Sequence, residues 1–555
     1  MSVRRLALFL LAVGLVLAAL SPATAQAAKP DPKKPLLSTV DLPPARAGEA
    51  AELTTVRDLF SVKTPAEARA ALRSGSGRDA TTALRDLSVA IDQGVVAAGS
   101  GLYDAFQRPW DYTPAPSSHP GFHFHRACSG NVCVHWINPT DAATWQSWFP
   151  SQNIDSWVST DAYAADALSV LTQVSQTYQA SGYRLPKGEF GQAFASDPDQ
   201  YGGSNQTDIY LMELGSQGLY GYCTVDRDQT GQYLFPPSGR QIDMPGFCVI
   251  DNDFTGFPLT PAENLRVTAA HEYHHAVQFA YDYLEDRWFM EATSVFMETQ
   301  LFPDIDDNLQ YLANSPLTHP GRPLDLSRSP LFYGTWSFLQ FLDERLSAKT
   351  GALPTFLLQA WQNADTVAGP DMYSIKALAA AVKASGGNFN RLFAAYADAN
   401  RHPWASYAEG AVNQWPTTKA RKTIKLKPSR KRASGSLKVK HLAAGTLRFT
   451  PVKLNRKKAK LSISVDLAKK KTGSAAVVTT YLTSGALQTK FVKLKKNGNG
   501  KLKVPFSSES VAFVELTLVN ASHSYTKCYK GKTEFSCNGG QPTKAVTERY
   551  SVRVR

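Results

Sequence analysis

The 555-residue chain is poor in several things at once. Past Leu20 no apolar run approaches the roughly 18 residues that a bilayer-spanning helix needs, so no membrane span is expected. Cysteine is scarce, at six residues, and no two stand in C-x-x-C spacing, which argues against a thiolate metal cluster. Acidic residues all but vanish at the C-terminal end. Residues 419–555 hold 32 Lys and Arg against five Asp and Glu, a net +27, while the preceding residues carry 28 against 42, a net −14. The overall +13 therefore hides a division, and so sharp a shift marks a domain boundary. The basic part lacks aromatic-plus-basic repeats, so no sequence-specific nucleic-acid binding is expected. An anionic cell-wall polymer or other polyanion would be held there by charge alone and released by salt.

What is present begins with an export signal. Met1–Arg5 is basic, Leu6–Leu20 is apolar, and Ala23-Thr24-Ala25 or Ala25-Gln26-Ala27 offers a small-residue cleavage site. This reads as a secretory signal peptide ending at residue 25 or 27, and predicts a secreted, extracellular protein. The cysteines suit that compartment and come in local couples: Cys128 with Cys133, Cys223 with Cys248, Cys528 with Cys537. Sequential pairing is the expectation, although spacing alone does not select one connectivity.

The chemistry is concentrated in residues 268–279, where His271, Glu272 and His275 form H-E-x-x-H. On a helix, positions i and i+4 lie about 40° apart, so both imidazoles can face one ion. Glu272, beside the first of them, is placed to act as general base. Thr260, Pro261 and Glu263 supply an N-cap, a first-turn proline and a capping-box acid, so the stretch is predicted helical. Two histidines make no stable zinc site. The next amphipathic helix, residues 287–298, carries Glu291 among Trp288, Ala292, Val295 and Phe296, where a carboxylate is costly unless a cation compensates it. Glu291 is thus the candidate third ligand and Glu298, two turns on, its competitor. His274 points away from both ligand histidines and reads as a packing residue. No cysteine precedes Cys128, so a latent form held by an N-terminal thiolate on the metal is ruled out.

The run HEYHHAVQF followed by WFMEATS resembles the gluzincin zinc peptidases, whose second helix supplies a glutamate. It is more closely similar to secreted bacterial metalloproteases with a tyrosine after the motif glutamate and a W-x-x-E-A-T ligand helix. Phe247–Asp253 (FCVIDND) and Tyr333-Gly334 share in that resemblance, which covers roughly residues 119–350. It implies one zinc ion on His271, His275 and Glu291, with Glu272 as base. The departure is spacing: Glu291 follows His275 by only 16 positions, fewer than in thermolysin-like enzymes.

Elsewhere, residues 28–118 are expected to form a helical N-terminal region, helical from Thr64 to about Phe106, that serves as a propeptide or as an ordinary packed subdomain. Val132–Asn138, Thr207–Leu214 and Phe247–Ile250 read as strands, and an edge strand could present an extended peptide to the metal. Asp161–Ala180, Leu331–Leu346, Ala352–Ala364 and Ser374–Ala397 read as helices. Tyr333 is a candidate oxyanion donor. His123, His125 and His135 could form a second metal site only if a matching carboxylate joined them. Asp197 with Asp199, or Asp251 with Asp253, could hold calcium, although neither resembles an EF-hand loop. Thr417–Ser436 reads as a basic linker, and Asn497–Gly500 as a hairpin turn between Lys-rich strands. The expected architecture is an α+β zincin-like unit over residues 119–418, followed by an all-β sandwich over 419–555. The expected activity is metal-assisted hydrolysis of peptide bonds in a protein or peptide substrate. The competing reading is a surface-binding adhesin with a structural or idle zinc site.

Overall fold

The computed structural model describes residues 51–555 apart from scattered single positions and internal stretches, chiefly 75–78, 97–105, 109–111, 114–121, 149–157, 190–200, 228–230, 237–240 and 524–544. The signal peptide, Asp197, Asp199, Cys528 and Cys537 lie outside the described residues. Helices and several sheets are combined in one mixed α+β chain. Among the described residues no helix is long and apolar enough to cross a membrane.

The motif-bearing unit is built on a five-stranded sheet: β1 (His125–Ser129), β2 (Val132–Trp136), β3 (Thr207–Met212), β4 (Gly221–Thr224) and β5 (Phe247–Asp251). Its order is β1-β2-β3-β5-β4, with β2, β3 and β5 parallel and the two outer strands antiparallel to their neighbours. Both faces are buried, which is why these strands read as nearly continuous apolar runs. Ile209 and Leu211 face one core, together with Val132, Val134 and Ile250. Tyr210 and Met212 face the other, with Tyr222, Phe247 and Val249. Cys128–Cys133 and Cys223–Cys248 are disulfides between directly opposed residues of β1/β2 and β4/β5, two of the three expected couples. They suit an oxidising compartment.

The first face packs on α5 (Asp161–Ala180) and α6 (Pro261–Phe279). Of the N-terminal helices, α2 (Pro65–Ser74) buries Leu72 in the first core, while α1 (Ala51–Phe60) and α3 (Thr81–Asp92), joined by α4 (Pro139–Trp148), cover the second face. Leu53, Val56, Phe60, Leu84 and Leu87 from α1 and α3 are buried there. The helical run expected from Thr64 is thus two helices that end at Ser74 and resume at Thr81, with Gly75 and Gly77 in the sequence between them. Behind α6 stands α7 (Arg287–Leu301), followed by α8 (Leu331–Gly334), α9 (Trp336–Leu346), α10 (Thr355–Ala364), α11 (Ile375–Ala384) and α12 (Phe389–Ala399). The predicted helix over 374–397 is likewise two, divided at Ser385-Gly386-Gly387, where Gly386 adopts φ +78°.

The basic part is a sandwich of a five-stranded and a four-stranded sheet. The first runs β6-β8-β13-β10-β11 and the second β7-β14-β9-β12. Here β6 is Lys422–Leu426, β7 Arg432–Val439, β8 Ala443–Pro451, β9 Lys460–Asp466, β10 Ser474–Leu482, β11 Leu487–Phe491, β12 Asn499–Pro505, β13 Val511–Asn520 and β14 Val546–Val554. Two expectations need correction. The stretch 417–436 is no linker, because Ile424 and Leu426 alternate with outward lysines and bury 5% and 0% exposed side chains in the sandwich core. Nor does Asn497–Gly500 close a hairpin. The turn exists, with Gly498 at φ +89°, but β11 joins one sheet and β12 the other. The flanks meet just beside the turn, at the Leu494–Gly500 bridge and where Lys495 N donates to Asn499 O at 2.8 Å.

The sandwich does not hang free from the motif-bearing unit. Leu442, Ala444, Val477, Val519 and Ala521 belong to the larger unit's core. Arg401 makes two hydrogen bonds to Glu515, at 2.9 and 2.6 Å, both side chains being buried. That ion pair puts the cation on the acidic unit and the anion on the basic one, so net charge difference is not what joins them. His441 meets Asp325 at 2.9 Å across the same interface. Arg401→Ala should therefore destabilise the whole chain by about 2–3 kcal/mol in urea unfolding, less than for a wholly orphaned charge because Arg448 stays 2.8 Å from Glu515.

Candidate metal centre

The site is assembled from two helices that the sequence starts and stops clearly. Thr260 Oγ1 accepts from Glu263 N at 3.3 Å and Glu263 Oε2 accepts from Thr260 N at 3.0 Å, a complete capping box that stabilises the start of α6 by about 1 kcal/mol. From Asn264 onward nearly all of α6 is buried. α7 packs along it and turns Glu291 toward the histidines.

His271, His275 and Glu291 are joined by Asp79, and one ligand atom from each lies within 4.8 Å of every other. His275 Nε2 is 3.4 Å from Asp79 Oδ2 and 3.7 Å from Glu291 Oε2, which in turn is 3.6 Å from His271 Nε2. These separations are long for hydrogen bonds. They are the spacing of groups that could share one cation between them.

The other atom of each group is held from behind. His271 Nδ1 donates to Glu298 Oε1 at 2.7 Å, and His275 Nδ1 donates to Gln278 Oε1 at 2.8 Å. Thr82 Oγ1 donates to Glu291 Oε1 at 2.5 Å, and Thr81 Oγ1 to Asp79 Oδ1 at 2.5 Å. Such contacts fix the tautomer and orientation of metal ligands. They leave Asp79 Oδ2, His275 Nε2 and Glu291 Oε2 buried and without a hydrogen bond among the described residues. Two imidazole nitrogens and two carboxylates around one point suit a divalent cation, whose charge would balance Asp79 and Glu291. Without it, burial disfavours the imidazolium of His275, yet Asp79 and Glu291 hold its pKa well above the usual histidine value.

Glu298 therefore sits behind His271 and is not among the four, while Glu291 is. Glu272 is outside the group as well, 1% exposed, with Oε2 3.5 Å from Thr81 Oγ1. The β4 edge passes so close that a Cβ on Gly221 would lie 2.8 Å from Glu272 Cγ. His274 is a packing residue. Thr293 Oγ1 donates to Phe289 O and so accepts from His274 Nε2, which leaves Nδ1 to accept from the Tyr178 hydroxyl at 2.9 Å. Its pKa is pushed well below normal by burial and then by His275 and His271. Tyr333 is buried near the site. Burial, then the charges of Glu291 and Asp79, raise its phenol well above the ordinary value, so it stays protonated.

The structure does not gather the remaining histidines. His125 pairs with Asp141 and His135 with Asp208, each stacked on its own aromatic, Trp136 and Tyr210. The side chain of His123 lies outside the described residues. Asp251 spends both oxygens on the N–H groups of Leu214, Gly215, Asp253 and Phe254, a loop-holding role that leaves little for calcium. Sequence reasoning missed Asp79 altogether. In Arg-Asp-Ala-Thr-Thr it looks like any acid before a helix start, and nothing local says that it meets residues almost 200 positions on.

Loss of His271 or His275 to alanine should abolish bound metal, measured by elemental analysis. Glu291→Gln should weaken binding severely. Glu298→Gln should keep full occupancy with affinity lowered about 10- to 100-fold in chelator competition.

No protein-family model matches the chain, and no curated protein matches it. Among solved structures it is similar to the pre-peptidase C-terminal domain of a collagenase from Bacillus anthracis, at 15% identity over 25% of this chain and 97% of that one, with a TM-score of 0.14. It is also similar to a 4-O-methyl-alpha-glucuronidase with specificity for decorated arabinogalactans, at 10% identity over 76% of this chain and 57% of that one, with a TM-score of 0.13. Likenesses so distant say nothing of activity.

Proposed function

We propose that the chain is a secreted zinc-dependent metalloendopeptidase of gluzincin type. The observation that carries this reading is the pairing of a convergent ligand set with a separate buried carboxylate, Glu272, which is not one of the ligands. A metal site that serves structure alone needs no such group, and burying a carboxylate is costly. Zinc is the metal that two imidazoles on one helix and a carboxylate favour. When bound, zinc polarises the scissile carbonyl and acidifies water. Glu272 takes the proton during attack and returns it to the leaving amine. His271, His275 and Glu291 stay oriented by Glu298, Gln278 and Thr82. The protonated Tyr333 phenol is the group that could steady the developing oxyanion. Glu272→Gln should retain stoichiometric zinc and lose about 100- to 10,000-fold in turnover of casein or a quenched peptide. Undiminished hydrolysis in that variant would remove the base role.

The four-ligand set favours one competing reading, a structural zinc site in a binding protein. The same Glu272→Gln comparison separates them, since a structural protein shows no hydrolysis to lose.

A polyanion-binding role for the basic part is supported by one face of the sandwich. On the four-stranded sheet, Arg432, Arg553 and Lys503 are exposed and tied in register across β7, β14, β9 and β12. Arg549, Lys501, Lys460 and Arg555 share that face with small serines, and Asp466 is the exposed acid of these four strands. Charge reversal of Arg432, Arg553 and Lys503 together should abolish retention on an anionic polymer at low salt, while the same reversals on other faces leave most of it.

A further inference from the structure

The peptidase reading leaves two observations unabsorbed: a fourth acidic or imidazole group in the cluster, and a base that is only 1% exposed. Zinc centres that act on substrates keep a position open, whereas those closed by four protein groups do not. Here Asp79 would supply a fourth protein group to a bound ion, and His271, His275 and Glu291 are 0% exposed. Both effects have one source, residues 79–82 at the start of α3.

That segment lies where an extended peptide would lie. β4 is the outermost strand of its sheet, and an outermost strand offers unpaired N–H and C=O groups to which another chain can add. Asp79 pairs with Gly221 of β4 as a parallel bridge, and Thr81 Oγ1 accepts the N–H of Cys223 at 2.7 Å. The Thr81 hydroxyl also lies 3.5 Å from Glu272 Oε2, and Thr82 holds Glu291. Asp79, Thr81 and Thr82 thus engage the strand edge, the base and Glu291 together. Salt bridges fasten α3 in place, Asp86 to Arg287 at 2.6 Å and Asp92 to Arg227 at 2.8 Å.

We infer that residues 79–82 are a built-in inhibitory segment: the Asp79 carboxylate occupies the metal position that water needs, and the chain as folded turns substrate over at a small fraction of its open rate. This rests on the peptidase reading and assigns the N-terminal helices a regulatory task besides covering the sheet. Opening the centre requires one carboxylate to leave, with His271, His275 and Glu291 unchanged. The device does for this cysteine-poor N-terminus what a thiolate could not.

The test uses the full chain, loaded with zinc or with cobalt, as wild type, Asp79→Ala and Asp79→Asn. Thermal unfolding shows first that the variants fold; Asp79→Asn keeps the shape of the side chain and guards against collapse of the segment. In the wild type, the cobalt spectrum should be four-coordinate and indifferent to pH between about 6 and 9. Asp79→Ala should keep one metal per chain, acquire a pH-dependent spectrum as solvent enters, and hydrolyse a quenched peptide at least about tenfold faster, with Asp79→Asn between. Loss of metal from Asp79→Ala, with no gain in hydrolysis, would make Asp79 a permanent structural ligand and overturn the inference. A pH-dependent spectrum without hydrolysis, in Asp79→Ala and also in an Asp79→Ala/Thr81→Ala chain whose segment no longer bonds the Cys223 N–H, would uphold Asp79 as the occupant of the solvent position and defeat the peptidase reading instead.

Discussion

Two carboxylates and two imidazoles shut away from water within 4.8 Å of one another constrain everything around them. Ionised Asp79 and Glu291 would repel at that distance in a low-dielectric interior, and burial alone would strip the charge from His275. The arrangement is stable only with positive charge at its centre, either a proton on His275 or a divalent ion. The surrounding polar groups follow from that need. Glu298, Gln278, Thr81 and Thr82 each occupy the far atom of one ligand, so that the near atoms converge.

The sheet brings these pieces together. With both faces buried it needs a helical layer on each side, and the N-terminal helices provide one of them. Once α3 is packed beneath β4, the residues preceding it run along the strand edge above Glu272. The covering layer and the buried four-residue cluster are therefore one structural fact. A segment that merely filled the sheet's second face would not have to bring Asp79 to the histidines.

The junction between the two units follows a different rule from the one their charges suggest. Apolar residues of the sandwich merge with the core of the larger unit, and the buried Arg401–Glu515 pair runs against the net charges of its two sides. Where lysine and arginine fall on strands, they take outward positions, more of them on the four-stranded sheet than on the five-stranded one. Lysines and arginines alternate with inward residues along β12 and β14, and the inward positions are apolar save for the buried Glu548, which accepts from Ser474 Oγ at 2.6 Å.

Local chemistry determined much of this from sequence alone. A threonine cap, a first-turn proline and helical spacing fixed α6 and the shared face of His271 and His275. An expensive carboxylate among apolar neighbours put Glu291 forward with Glu298 as its competitor, and alternation exposed the sandwich. Those signals act over a few residues, where backbone geometry dictates which side chains are neighbours. Tertiary structure alone decided the rest. The choice between Glu291 and Glu298 depended on how α7 rolls against α6. The fate of the 495–500 turn depended on which sheet each flank joined. Asp79 depended on a strand edge more than a hundred residues away, because long-range convergence is set by packing of whole layers and leaves no periodic trace in the residues it brings together.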